Sequence, residues 1–119
     1  RDPRIDKLAD VLVNYSTRVA AGDLVQISGP LVARPLVVAL YRAVLAAGGH
    51  PHVALVPDEC AEILLGEGTD AQLSHPDPFE LHAVETTDVP LHIPDADHTT
   101  PLSPQPAHQQ ATHPPPRQQ

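Results

Sequence analysis

The sequence predicts an α/β fold: a small parallel three-stranded sheet with flanking helices, forming a partial domain that is followed by a disordered Pro/Gln-rich tail. Helical and strand patterns alternate along residues 1–93, which also hold nearly all of the branched aliphatic residues. Such alternation produces parallel strands joined by right-handed crossovers. Residues 94–119 carry seven Pro, five Gln and three His, and so little apolar surface cannot offset the cost of ordering a backbone. We therefore assign residues 1–93 to an N-terminal α/β domain and 94–119 to a low-complexity Pro/Gln/His-rich tail.

The first helix is predicted to begin at Pro3. Proline fits the first turn of a helix, and Asp2 before it can accept hydrogen bonds from the free N–H groups there. Apolar side chains recur at helical spacing through Ile5, Leu8, Leu12, Tyr15 and Val19. The Ala-Gly-Asp sequence at 21–23 ends this helix.

Two strands and a second helix follow. Residues 24–28 are predicted to form the first strand, which the Gly-Pro pair at 29–30 stops. Pro35 suits the first turn of a helix, and the two glycines at 48–49 suit its end because glycine adopts positive φ at low cost. The second strand is predicted over 52–56. The apolar face of the helix comprises Leu36, Val37, Leu40, Tyr41 and Val44.

Three short helices and a third strand are predicted in the remainder of the domain. Residues 58–65 open with two carboxylates, which favour a helix N-terminus, and 69–72 has the spacing of a capping box. The Asp-Pro-Phe-Glu sequence that opens 77–87 supplies a capping Asp, a Pro at the first helical position and a Glu three residues later. Residues 89–93 form the third strand, at an edge because Pro90 lacks a ladder donor. We favour a sheet order with the first strand between the other two.

The charge balance excludes several classes of partner. Fifteen acidic against seven basic residues give a formal charge of -8, which argues against binding to nucleic acids or to an anionic membrane.

The single Cys60 cannot form an internal disulfide, so nothing indicates an oxidising compartment. The longest apolar stretch, 35–49, is too short for a membrane span, and no secretory leader is visible. We expect a cytoplasmic protein. Because the chain starts at Arg1 and contains no Met, we also expect it to be a piece of a longer one.

Histidines are the first candidates for chemistry, because the chain has eight. His50 and His52 form an H-x-H pair, and alternation in a strand would put both imidazoles on one side. Asp58, Glu59 or Cys60 could complete a metal site. The alternative is structural, with His50 in a turn and His52 in a strand, and we prefer it because no known zinc-ligand spacing occurs. The others are predicted to be solvated or to lie in the tail: His75, His82, His92, His98, His108 and His113.

A phosphate-binding turn is a second candidate. Gly29 lies between a predicted strand and a predicted helix, where such turns occur. The residues around it match neither the dinucleotide nor the P-loop pattern, and Pro30 removes an amide that a phosphate would need. We predict a tight structural turn there.

Nucleophilic and acid–base roles have no better support. Cys60 lies in the first turns of a predicted helix, but neighbouring carboxylates oppose its thiolate form, so we expect a buried structural cysteine. As potential nucleophiles, Ser16 and Ser28 each lack a histidine nearby in the sequence. Glu80 and Glu85 are explained as a cap and a solvated position. We therefore assign no catalytic, cofactor-binding or metal-binding residue to this chain.

A series of short motifs nevertheless resembles a known family. In order, they are Asp-Pro-Arg at 2–4, Val-Asn-Tyr-Ser at 13–16, Gly-Asp-Leu-Val at 22–25, Ala-Gly-Gly-His-Pro at 47–51 and Glu-Thr-Thr-Asp-Val at 85–89. They resemble the N-terminal region of the thermophilic metallo-aminopeptidase family, the aminopeptidase T and S type. The resemblance covers residues 1–93 and weakens beyond them.

The resemblance implies an enzyme that hydrolyses N-terminal amino acids from peptides. In that family a C-terminal domain binds two divalent metal ions, zinc, cobalt or similar, and a metal-activated water attacks the scissile carbonyl. None of the family's metal ligands falls in this segment, so this chain alone is not expected to be catalytically competent. Peptide substrates and a homodimer are the partners expected of the full-length protein.

Two interpretations of the tail stay open. Residues 94–119 have Pro, His and Gln where the family carries a basic helix, which indicates a corrupted or decayed reading of a helical segment. The second interpretation is that these residues are a genuine extension. The alternative function is then a non-catalytic α/β interaction module whose Pro-rich tail binds a partner with an aromatic groove.

Overall fold

The computed structural model describes residues 1–95, so the predicted tail lies outside the described residues apart from Pro94 and Asp95. Helices and strands alternate as the sequence predicts. In chain order the elements are α1 (Pro3–Val11), a π-helical turn (Leu12–Ser16), β1 (Leu24–Pro30), a 3-10 turn (Leu31–Ala33), α2 (Arg34–Ala46), β2 (His50–Val56), α3 (Asp58–Glu67), α4 (Asp70–Ser74), α5 (Pro78–Thr86) and β3 (Val89–His92).

The three strands form one parallel sheet in the order β2-β1-β3. This confirms the predicted fold class and the central position of the first strand. The start of β1 is tied to the start of β3 by a reciprocal pair of hydrogen bonds. The Leu24 N–H donates to the Asp88 carboxylate at 2.8 Å, and the Asp88 N–H donates to the Leu24 carbonyl at 2.9 Å.

The two faces of the sheet differ in chemistry. Because paired residues of parallel strands point the same way, Val25 and Ile27 share a face with Val53, Leu55 and their β3 partners. Both β1 residues are fully buried there. The opposite face carries the intervening residues. Polar or small residues occupy its middle, with apolar ones mainly at its ends: Gln26, Ser28, His50, His52, Ala54, Pro90 and His92, with Leu24, Pro30 and Val56.

The core lies between the apolar sheet face and two helices. α2 packs on β1 and β2, and α1 packs on α2. Burial on α2 follows the predicted face, except that Tyr41 is exposed and Ala39 is buried. The core residues are Ala9, Val13, Val19, Val25, Ile27, Val37, Ala39, Leu40, Val44 and Leu91.

The predicted apolar face of the first helix is wrong in two places. Leu8 and Tyr15 are exposed, whereas Ala9 and Val13 are completely buried. The helix is also shorter than predicted, because regular α-helix gives way to a π-helical turn after Val11. The wider turn rotates Tyr15 and the residues after it relative to α-helical spacing. Leu8 lies in regular α-helix before the turn, where its neighbour Ala9 takes the buried position.

Strand boundaries differ from the predicted ones by one or two residues. β1 continues through Gly29 and Pro30, because the ladder with β2 reaches the pair Pro30 and Val56. β2 begins at His50. Gly48 has a φ of +88°, which confirms the predicted glycine end of the second helix.

The predicted caps at Asp2, Thr69 and Asp77 are present, whereas within residues 1–95 the Glu80 side chain does not complete the cap of α5 as predicted. The Asp2 carboxylate accepts from the Arg4 N–H, and Asp77 accepts from the N–H groups of the second and third residues of α5. Thr69 and Gln72 form a full capping box at the start of α4. Each of these helix N-termini depends on hydrogen bonds between residues two or three positions apart, which is why the sequence alone predicts them.

Helices α3, α4 and α5 are exposed along almost their whole length. They have no buried residue, and large apolar side chains face outward: Ile63, Leu64, Leu65, Leu73, Phe79, Leu81 and Val84. Right-handed crossovers place the β1-to-β2 and β2-to-β3 connections on opposite faces when β1 is central. The second connection thus runs on the side of the polar face, where α3, α4 and α5 make no extensive contact with the strands. Within residues 1–95, no helix is long and apolar enough to cross a membrane.

Candidate functional site

The polar sheet face brings together three of the sequence-predicted histidines. His50 and His52 are both exposed and lie on the same side of β2, as the H-x-H spacing predicts. His92 lies on that face too, on β3, at the far side of the central strand. β1 places Gln26 and Ser28 between them. Strand alternation alone predicts the shared side of the first pair, whereas the position of His92 required the register of β3.

Ser28 and His92 are in contact. The Ser28 Oγ lies 3.0 Å from His92 Nδ1, across the directly paired positions of β1 and β3. A serine becomes a nucleophile when its base is held by a third group, such as a carboxylate. Within residues 1–95 no carboxylate hydrogen-bonds to His92. The pair is therefore a cross-strand contact that stabilises the edge strand, and sequence reasoning missed it because 64 residues separate the partners.

The potential metal ligands do not converge. Asp58, Glu59 and Cys60 lie in the first turn of α3, beyond the carboxyl end of β2, whereas His50 opens that strand. In the part of the chain that the structure describes, no group of three or more His, Cys, Asp or Glu side chains could hold a metal ion. His75 and His82 lie singly on exposed helical segments, and the three tail histidines lie outside the described residues.

Two carboxylates meet beyond the ends of β2 and β3. Repulsion from Asp95 raises the pKa of Asp58 above its ordinary value of 3.8. Loss of hydration, a side-chain hydrogen bond with Asp95 and the charges of Glu59 and Glu62 act in the same direction. Sequence reasoning treated Asp58 as a cap and as a potential ligand and did not pair it with Asp95.

Replacement of Asp95 by Asn is expected to stabilise the fold at neutral pH. The pKa of Asp58 is higher in the folded state than its unfolded value of about 3.8. Protonation of Asp58 therefore stabilises the folded state, fully below the unfolded pKa. This stabilisation is lost as the pH rises through the folded pKa. The variant removes the repulsion that accompanies ionisation. Its midpoint of thermal unfolding should exceed that of the unaltered chain at pH 7 and approach it near pH 3. A constant difference at both pH values would contradict the assignment.

Gly29 lies within β1 and serves close packing, so the predicted tight turn at this position is wrong. It is buried in β1, and a Cβ added to it would lie 3.0 Å from the Ile93 Cβ and 3.1 Å from the Ile93 carbonyl oxygen. The Ile93 N–H donates to the Ser28 carbonyl at 2.8 Å. A side chain at Gly29 would push this end of the third strand away.

Cys60 is exposed, so the expected buried position is wrong. The sequence correctly placed it in the first turn of a helix, but that helix packs on no sheet face, and burial depends on packing. Glu80 and Glu85 lie on exposed positions of α5, and Ser16 ends the π-helical turn.

An apolar groove lies on the other side of the sheet, between α2 and the edge strand β2. It has a volume of about 440 Å³. Val37, Val38, Tyr41, Leu45, Val53 and Leu55 line it, and Arg34 and Arg42 rim it. Its chemistry suits an apolar surface that also carries carboxylates.

Comparison with known proteins identifies the family. A family model described as thermophilic metalloprotease (M29) matches residues 1–117. The chain belongs to this family. The M29 match confirms the resemblance and extends it beyond Ile93 through most of the Pro/Gln-rich segment. No curated protein matches the chain.

Membership of the M29 family implies a peptidase that uses metal ions. The described residues do not fit a metal centre, because their histidines and carboxylates are scattered over opposite ends of the strands and over isolated helices. Residues 1–95 thus form an α/β scaffold, with no catalytic step assigned to them.

Proposed function

We propose that this chain is the N-terminal portion of a metal-dependent aminopeptidase that hydrolyses N-terminal amino acids from peptides. The observation that carries the proposal is the match of the M29 metalloprotease model to residues 1–117. The ordered motifs of the aminopeptidase T and S type support the restriction to N-terminal residues. Two divalent metal ions would be held by residues outside the described range, because residues 1–95 provide no ligand set.

The chain itself is expected to be inactive. Incubated with zinc or cobalt and a peptide with a free N-terminus, the 119-residue chain should release no amino acid, because its described residues form no metal centre. Mass spectrometry of the peptide would measure this. Release that stops on chelation and returns with metal would show that the chain holds its own catalytic site.

The activity is tested on the product of the complete reading frame. Sequencing of the parent DNA on both sides of codons 1–119 defines that product. We expect it to shorten a free peptide from its N-terminus, to lose this activity on chelation and to leave the same peptide untouched when its N-terminus is acetylated. Cleavage of the acetylated peptide would indicate an endopeptidase of the same family. A stop directly after codon 119 would favour the interaction module instead.

A further inference from the structure

The apolar groove is open along one side, where the outer edge of β2 has no neighbouring strand. Within residues 1–95, β2 pairs with β1 alone. The His50 N–H donates to the Asp23 carbonyl at 2.7 Å, and the backbone groups of successive residues in a strand point to alternate sides. Those of Val53 and Leu55 therefore point away from β1, and outside the β1 ladder they form no backbone hydrogen bond within residues 1–95. Both side chains line the groove.

The outer edge of β2 is suited to accept a further strand. An unpaired edge is a template for another extended chain, and proteins usually protect it by a short strand, a Lys or a Pro. The opposite edge of the sheet is protected in this way, because β3 has only four residues and Pro90 among them lacks an N–H. β2 has seven residues and no Lys, and its proline lies near its start, at Pro51. It is thus the longer and less protected of the two sheet edges in residues 1–95.

The helix wall of the groove carries a stripe of three exposed side chains. Arg34, Val38 and Arg42 are spaced four residues apart and therefore lie on one side of α2. Neither arginine forms an ion pair within residues 1–95, where the ion pairs join residues at the start of the chain. The stripe thus has an apolar centre between two cationic ends.

The spacing of the two arginines matches the repeat of an extended peptide. Arg34 and Arg42 are eight residues apart, which corresponds to about 12 Å along a helix axis. In a strand, every second residue points to the same face, and the first and fifth residues are about 13 Å apart. Carboxylates at these two positions would reach both guanidinium groups, and an apolar side chain at the third would lie beside Val38.

We propose that the groove between α2 and β2 binds an extended peptide segment of another protein, with a carboxylate, an apolar side chain and a second carboxylate at alternate positions. The segment adds to the sheet beside β2, and its carbonyls accept hydrogen bonds from the Val53 and Leu55 N–H groups. Backbone pairing holds the segment, and the charge and apolar pattern of the stripe selects it. This proposal does not rest on the peptidase function.

Fluorescence anisotropy of a labelled peptide with the 119-residue chain provides the test. The peptide contains Glu-Thr-Leu-Thr-Glu between an acetylated N-terminus and an amidated C-terminus, so that an aminopeptidase leaves it intact. We expect saturable binding in low-salt buffer. Arg34→Glu with Arg42→Glu should weaken it at least about tenfold, because attraction becomes repulsion at both carboxylates. A peptide with Lys-Thr-Leu-Thr-Lys should show the reverse preference and bind the charge-reversed variant more tightly than the unaltered chain.

N-methylation of the peptide distinguishes an added strand from any other bound shape. Alternate amides of an added strand face β2, so methylation of one alternate set should weaken binding at least about tenfold. Methylation of the other set, which faces away from β2, should have little effect. Equal effects of the two methylated peptides on the unaltered chain would overturn the proposal.

The control variant is Lys7→Glu with Arg18→Glu, which makes the same change in net charge at exposed positions outside the groove. It should bind the acidic peptide as the unaltered chain does, and circular dichroism should show that both variants are folded. No binding by the unaltered chain, the result expected if a second copy or later residues of this chain fill the groove, would overturn the proposal. So would a control that weakens binding as much as the groove variant. Such failures leave the peptidase test unaffected, since that test measures release of amino acids.

Discussion

Replacement of Leu40 by Ala is expected to cost about 2–5 kcal/mol of unfolding free energy, the typical range for a buried leucine. Leu40 lies on the face of α2 that packs against the sheet and is 1% exposed. Truncation removes apolar contact and leaves a cavity that close-packed neighbours fill incompletely. Because whole domains are stable by only about 5–15 kcal/mol, this single change would remove a large part of the stability of a small three-stranded sheet. Urea unfolding followed by circular dichroism measures it.

Leu45→Ala in the same helix is the matched control. Leu45 is 56% exposed at the groove, so it has less burial to lose, and we expect a cost below about 1 kcal/mol. Equal losses for the two variants would show that the groove side of α2 is buried in solution. If Leu40→Ala fails to fold, Leu40→Val gives a smaller loss that can still be measured.

Replacement of Gly49 by Ala is expected to destabilise the chain by about 1–3 kcal/mol, the cost of overpacking. Gly49 is buried between the end of α2 and the start of β2. An added Cβ would lie 2.9 Å from Val19 Cγ1 and 3.0 Å from Val44 Cγ1, and both valines belong to the core. The backbone or the valines must move to admit the methyl group. The difference in unfolding free energy from urea titration measures the effect.

Gly66→Ala is expected to raise the free energy of unfolding, whereas Gly49→Ala lowers it. Gly66 lies within α3, and an added Cβ would meet nothing within 4 Å. Alanine in an exposed helix is favoured over glycine by about 0.5–1 kcal/mol, because glycine loses more backbone entropy. The two substitutions add the same methyl group, so a loss at both positions would contradict the packing around Gly49.

Local signals in the sequence predicted the elements well. The caps at Asp2, Thr69 and Asp77 act on N–H groups two or three residues away, so the sequence alone contains the whole interaction. The alternation of helices and strands predicted a parallel sheet joined by right-handed crossovers. The favoured order, with the first strand between the other two, is the order in the structure. Of the two positions that failed, Tyr15 lies within a π-helical turn, which has no simple sequence signature, and Leu8 lies in α1 before that turn.

The sequence by itself also determined the family, since motifs spread over residues 1–93 and a family match to residues 1–117 agree. Tertiary structure alone decided which side chains meet. The contact of Ser28 with His92, the carboxylate pair of Asp58 with Asp95 and the exposure of Cys60 each depend on how distant strands and helices pack. Burial and pairing are properties of the assembled sheet, and its polar second face, which leaves three helices exposed, emerges only when β1, β2 and β3 are placed in register.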